Sequence, residues 1–216
     1  MDNKHIRLNN YLFSILIGII FLLTPLLFFA NSSNYYIYRF EHYGVYEEFK
    51  EGSINKETVD SQLQNLIHYL SPYSKPLDFN FYSNEDILHL YDVKNILNVL
   101  YYIYGISIFA TYLILRYKKK YINFEKINKF CRFYILVTIL VFTLVILNFS
   151  FLFTLAHEMT FSNDYWLLDP SSSNLIKFFP QSLFFEVFLL VIITNLLLHI
   201  SFIMLSNKIN GKRKSK

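Results

Sequence analysis

The chain has 216 residues, of which 54% are hydrophobic, 19% aromatic and 17% charged, with a formal net charge of +4. An ordinary soluble domain is about 45–50% apolar and roughly 25% charged, and here the apolar excess is gathered into blocks. That pattern excludes a soluble globular domain, and the placement of the basic residues excludes a nucleic-acid footprint as the source of the positive charge.

The blocks are Tyr11–Ala30, Ile96–Leu115, Phe133–Ala156 and Ser182–Leu205, and Glu186 is the only charged residue in them. Each reaches the roughly 20 residues that cross about 30 Å of hydrocarbon. Fourteen of the 20 Lys and Arg lie in the N-terminal tail, in Arg116–Arg132 and after Leu205, together with only Asp2 and Glu125 of the 16 acids. Short loops rich in Lys and Arg stay in the cytoplasm. The chain therefore reads as an all-α integral membrane protein with four transmembrane helices, both ends cytoplasmic, and a small outer segment between the first two helices. In order, the expected parts are a cytoplasmic tail 1–10, a span 11–30, an extracytoplasmic segment 31–92 and a second span 93–115. A basic cytoplasmic loop 116–132, a span 133–156, an outer loop 157–180, a span 181–205 and a basic tail 206–216 complete it.

The first run exceeds the about 7–15 apolar residues of a signal peptide, and Phe28 spoils the small-residue spacing before Ala30. It is expected to remain as an anchor. The outer segment opens with Tyr35, Tyr36, Tyr38, Phe40, Tyr43 and Tyr46, side chains suited to a headgroup layer. Val59, Leu63, Leu66, Ile67 and Leu70 then recur at helical spacing, with Asn55 as N-cap and Pro72 as the stop. This apolar face has too few partners to make an independent core, so it is expected to rest on the membrane or on the outer ends of the spans. Ser71–Pro76 is a turn-rich link. Ser83 and Asp86 have the spacing of a capping box, and nothing breaks a helix from about Glu85 through the second span. Lys212–Lys216 reads as a topology signal and a contact for anionic lipid. Cys131 is the sole cysteine, which excludes a disulfide within the chain and a thiol nucleophile on the outer side.

Topology sorts the six histidines. His5 and His199 fall at cytoplasmic ends, and His42 and His68 lie in the outer segment without a motif. His89 has Glu85 four residues before it and Asp92 three after, all on one helical face. His157 ends the third run, followed by Glu158 and a loop carrying Asp164, Trp166 and Asp169. Counting helical rise, His89 and His157 both come near the outer headgroup zone, where lipid ester carbonyls lie. An interfacial histidine is commonly a cap, so position alone does not make either catalytic. Glu186, two turns into the fourth run, is a functional candidate because ionisable groups are costly there; simple snorkelling is the competing reading. A G-x-S-x-G elbow is absent, and His157-Glu158 lacks the second histidine of H-E-x-x-H. The span centres hold Thr138, Thr143, Thr194 and Asn195 but no charge, which is unlike a proton-coupled transporter.

Two segments carry a resemblance. Glu85–Lys94 reads EDILHLYDVK, and His157–Pro180 reads HEMTFSNDYWLLDPSSSNLIKFFP. With the four-span layout, they resemble the lipoprotein intramolecular transacylase family, small membrane proteins of Gram-positive bacteria. The resemblance implies a site on the extracytoplasmic side of the plasma membrane, a diacylated bacterial lipoprotein as substrate, membrane lipids as surroundings, and no cofactor or metal. The implied reaction moves the sn-2 acyl chain of an S-diacylglyceryl cysteine to its α-amine, leaving an N-acyl S-monoacylglyceryl lipoprotein. The family's essential histidines map onto His89 and His157. Glu85, Asp92, Lys94, Glu158, Trp166, Asp169 and Glu186 are expected to bind or orient substrate.

Elementary chemistry is compatible with that task. An α-ammonium has a pKa of about 7.7–8.0 and histidine about 6.5, so a neutral imidazole takes the amine proton at a cost of roughly 2 kcal/mol. His89 as base, oriented by Glu85 or Asp92, with His157 on the oxyanion or leaving alkoxide, is one assignment; the reverse is equally open, as is a covalent acyl-histidine. Two other readings stand beside it. One is a metal-dependent membrane hydrolase using the same histidines and carboxylates. The other is a non-enzymatic adaptor whose outer segment binds a protein.

Overall fold

A computed structural model describes residues 3–73 and 75–214, and the side chains of 8–73 and 75–210. The extreme ends of the expected tails 1–10 and 206–216, the side chains of His5 and of the basic run Lys212–Lys216, and Ser74 of the turn-rich link lie outside the described residues. The rest is mostly helical, with no strand among the described residues. In chain order the helices are α1 (Asn3–Ala30), α2 (Ser33–Phe40), α3 (Val45–Glu51), α4 (Lys56–Leu70) and α5 (Asn84–Lys118). After a 3₁₀ turn at Lys119–Tyr121 come α6 (Phe124–Leu147), α7 (Phe149–Thr160), α8 (Asn174–Phe178) and α9 (Gln181–Lys214). Four of these, α1, α5, α6 and α9, are long and apolar enough to cross a membrane. Helices are the natural solution there, because in hydrocarbon every backbone N–H and C=O must find its partner inside the segment.

The chain forms two compact units. The first comprises Met1–Leu26, Tyr102–Leu147 and Leu189–Lys216. Its core holds Phe13, Leu16 and Ile17 of α1, Ile114 of α5, Ile122, and Ile127 and Cys131 of α6. Polar clasps fix the ends of these helices. The Asn10 side chain donates to the Tyr121 carbonyl at 3.2 Å and accepts the Asn123 N–H at 2.7 Å. Asn128 donates to Asn207 at 2.9 Å and accepts from Ser206 at 2.7 Å. Tyr134 lies flat on His199 at 4.8 Å, and Gly18 makes room for it, since a Cβ there would sit 3.3 Å from the Tyr134 ring.

The second unit comprises Leu27–Tyr101 and Asn148–Phe188. Asn55 caps α4 as expected, accepting the Thr58 N–H at 2.8 Å. The expectation that the α4 face has too few partners for an independent core is corrected here. Val59, Leu63 and Leu66 are fully buried, with α4 packed on α2 and α3, and α3 packed on α8. Phe178 of α8, far away in sequence, packs on the other side of α2 and α3. Its ring meets Phe40 at 5.9 Å, Phe49 at 4.9 Å and Phe81 at 5.8 Å. Burying such side chains contributes about 1.5–3 kcal/mol each, enough to give the outer segment a core of its own.

Two local devices shape the rest. The 133–156 run does not form one uninterrupted helix: α6 stops at Leu147 and α7 starts at Phe149. Asn148 adopts φ −158°, ψ 73° and its side chain accepts the Phe151 N–H at 3.2 Å, so it is an N-cap set inside an apolar stretch. At the start of α5 the capping box forms as expected, with Asp86 N–H donating to Ser83 Oγ at 3.1 Å and Ser83 N–H to Asp86 Oδ2 at 3.2 Å. The Asp86 carboxylate is wholly buried and also accepts from Ser173 Oγ and from the Leu175 N–H. Ser173 in turn caps α8 through Ile176 N–H at 3.2 Å. One carboxylate thus joins the starts of α5 and α8. Replacing Asp86 by Ala leaves several buried donors unpaired, so thermal unfolding in detergent should show a loss of about 2–3 kcal/mol. Ser173→Ala should cost less, and an unchanged Tm for Asp86→Ala would contradict this role.

Candidate active site

In the second unit, helix α5 presents His89 on its second turn, and α7 presents His157 near its end. Their rings lie 6.1 Å apart, inclined at 36°. Aromatic side chains wall the pair. Phe161 stands edge-on to His89 at 5.0 Å and also meets His157 at 5.7 Å. Trp166 packs on His157 at 5.1 Å, and Phe153, one turn earlier on α7, at 4.2 Å.

The two imidazoles are in different states. His157 Nδ1–H donates to the Phe153 carbonyl at 2.7 Å. A carbonyl only accepts, so Nδ1 carries the proton, and in the neutral ring it is Nε2 that can accept. His89 is 9% exposed, and nothing hydrogen-bonds its buried Nδ1. Burial, then the neighbouring His157, push its pKa from 6.5 down to about 4, against a weaker opposite pull from Asp92 and Asp86. His89 is therefore an uncharged imidazole at neutral pH.

The other expected residues divide. Asp92, one turn beyond His89, accepts from Asn163 Nδ2 at 2.9 Å rather than touching a histidine. Glu85 and Glu158 are exposed. Lys94 sits over the Tyr69 ring at 4.0 Å. Asp169 is exposed and accepts from Ser171 N–H at 2.9 Å and Ser171 Oγ at 2.8 Å, bonds that hold its carboxyl below the usual range. Glu186 belongs to a separate cluster, where it accepts from Tyr35, Tyr43 and Arg39, the last at 2.6 Å. Residues 35, 39 and 43 repeat every four positions, a spacing legible in the sequence once Glu186 is known to need donors. Phe153, Phe161 and Asn163 carry no sequence signal that marks them as site residues. Among the described residues, no three His, Cys, Asp or Glu side chains gather to hold a metal ion.

A multi-pass helical membrane protein with paired histidines in an aromatic pocket is the class this fold and site define. The model of the family described as lipoprotein intramolecular transacylase Lit matches residues 11–185, and the chain belongs to that family. Its activity is an acyl transfer within lipoproteins, so the chain is an acyltransferase. Among solved structures, it is similar to the membrane integral lipoprotein intramolecular transacylase Lit from Bacillus cereus, with a TM-score of 0.86, 22% identity and full coverage of both chains. Two further structures of that protein, each with one histidine replaced, align at TM-scores of 0.74 and 0.76 with 24% and 22% identity. They cover 99% of this chain and 96% and 97% of theirs. No curated protein matches. At these identities the structural likeness speaks for the fold; family membership rests on the match along 11–185.

The unequal imidazoles have a measurable consequence. In histidine-labelled protein followed by NMR, His89 should take up its proton near pH 4. In His157→Ala it should do so at a clearly higher pH, because the deletion relieves burial and removes a neighbouring positive charge. Titration of native His89 near its ordinary value would contradict the buried, uncharged state.

Proposed function

We propose that His157 is the proton-transfer residue of the acyl transfer and His89 the donor that stabilises the tetrahedral oxyanion. The tautomer of His157, set by the Phe153 carbonyl, supports this most directly, since it leaves Nε2 free to accept. His89 is poorly suited as the base. With an amine near its ordinary 7.7–8.0 and His89 near 4, proton transfer between them costs roughly 5 kcal/mol. A neutral imidazole still has an N–H to donate, which is what a developing oxyanion needs.

The substrate of this reading is a bacterial lipoprotein whose N-terminal cysteine carries S-diacylglycerol, held with its glyceryl esters at the outer face of the plasma membrane of a Gram-positive cell. Attack of the α-amine on the sn-2 ester carbonyl closes a ring of about eight atoms, so much of the catalysis is orientation of a flexible chain. The N–C bond forms, and His157 Nε2 takes a proton from nitrogen. The bond from the acyl carbon to the sn-2 oxygen then breaks, and His157 returns the proton to that oxygen. No water, nucleotide or external acyl donor enters the balance. Both termini and the 116–132 loop lie in the cytoplasm, and the histidine pair opens on the other side with membrane lipids around the spans.

Mass spectrometry of a reporter lipopeptide, from a host that otherwise leaves it diacylated, tests the reaction. Native protein should move one acyl chain to nitrogen at unchanged total mass. His157→Ala should slow this by about 10²–10⁴-fold and His89→Ala by about 10²–10³-fold. His89→Gln, which keeps a neutral donor, should recover part of the loss, while His157→Gln should not; the opposite pattern would exchange the two roles. Sidedness has its own readout. In a Cys131→Ser background, a cysteine at Ser162 should react with an impermeant thiol reagent on intact cells, and one at Lys120 should not.

A further inference from the structure

We propose that Asn163 and Asp92 determine specificity for an amine over water, by clasping an aromatic roof across the histidine pair. The inference rests on the transacylase reading above. A base able to relieve an attacking amine of its proton can equally activate water, and the hydrolytic product would be a lipoprotein that has lost a chain. Transfer without hydrolysis therefore requires that water be kept from the ester while the histidines hold it.

The residues that pack over the histidines lie in the segment after α7. Phe161 covers both His89 and His157, and Trp166 covers His157. Asn163 sits between these two rings in sequence and uses both ends of its amide. Nδ2 donates to Asp92 Oδ2 at 2.9 Å, and Oδ1 accepts the Tyr165 N–H at 3.1 Å. The first bond fastens the segment to α5 one turn from His89; the second bends it so that Trp166 returns over His157. Its other end is held by the Phe161 N–H donating to the His157 carbonyl at 2.8 Å. Asp92 is thus a positioning residue, hydrogen-bonded to the roof. The geometry needs a donor and an acceptor on one short side chain, which aspartate at 163 does not supply.

In transfer, the amine nitrogen bonds to the acyl carbon, the bond from the acyl carbon to the sn-2 oxygen breaks, and the nitrogen's proton passes to the sn-2 oxygen. In hydrolysis, water oxygen bonds to the acyl carbon and the same C–O bond breaks. A fatty acid departs, and the sn-2 oxygen takes water's proton. The first product keeps the substrate's mass; the second is lighter by one acyl chain and has a free amine. One spectrum separates them.

The test uses the full-length protein with a diacylated reporter lipopeptide in vesicles, comparing native protein, Asn163→Asp, and the double exchange Asn163→Asp with Asp92→Asn. Asn163→Asp sets two carboxylates face to face while keeping the acceptor for Tyr165. Since a bond to a charged group shifts a local equilibrium by about tenfold or more, the hydrolysed share should rise by about that factor. The double exchange restores one donor and one acceptor with their positions reversed, and should return the share toward native. Native transfer with an unchanged hydrolysed share in Asn163→Asp would overturn the inference, as would loss of both products that the exchange does not repair. Native protein that makes no N-acyl product would instead overturn the transacylase reading itself.

Discussion

A buried carboxylate organises the unit that carries the chemistry. Asp86 has no solvent exposure, yet it is bonded to Ser83, Ser173 and Leu175. A buried carboxylate is tolerable only when donors surround it, so the three segments are held together by the cost of separating them. Those segments are the entry to α5, the loop before α8 and α8 itself. His89 follows Asp86 by three residues on α5, and Phe178 follows Leu175 by three on α8. The same clasp therefore sets the start of the helix that presents a histidine and seats the ring that closes the outer core.

From that frame the two histidines acquire different characters, and for His89 burial counts for more than any charged neighbour. His157 is fixed by its own helix, through a carbonyl one turn back, and the aromatic rings packed on it do not compete for its Nε2. His89 is packed among apolar groups and another imidazole, and is kept uncharged by that packing. A pair of this kind has a natural division of labour in acyl transfer, one ring moving a proton and the other donating a hydrogen bond. The carboxylates at helical spacing from His89 serve the surroundings: Asp92 holds the loop, and Glu85 faces solvent.

Hydrogen-bond satisfaction explains the irregularities as well. The helix ends at Leu147 and resumes at Phe149, where the Asn148 side chain supplies an acceptor that the backbone has given up. The Glu186 carboxylate, inside the fourth apolar run, is surrounded by two tyrosine hydroxyls and a guanidinium from α2 and the turn after it. Both are costly groups made tolerable by nearby partners.

The sequence by itself determined the class of architecture, because crossing hydrocarbon demands about 20 apolar residues in a row. No tertiary contact is needed to read that from Tyr11–Ala30 or Ser182–Leu205. Local hydrogen-bond chemistry was equally legible: Asn55 and the Ser83–Asp86 pair cap their helices through neighbours within three residues. The motifs around His89 and His157 also pointed to both histidines. Tertiary structure alone decided what lies across those helices. Phe178 completes a core begun more than a hundred residues earlier, Asn163 claims Asp92 from the histidine it was expected to orient, and Tyr35, Arg39 and Tyr43 find Glu186. Periodicity records which face of a helix is buried but not what buries it, and a hydrogen bond between distant residues leaves no spacing to read. The difference between His89 and His157 is of the same kind, since desolvation and a neighbouring ring exist only once the chain has folded.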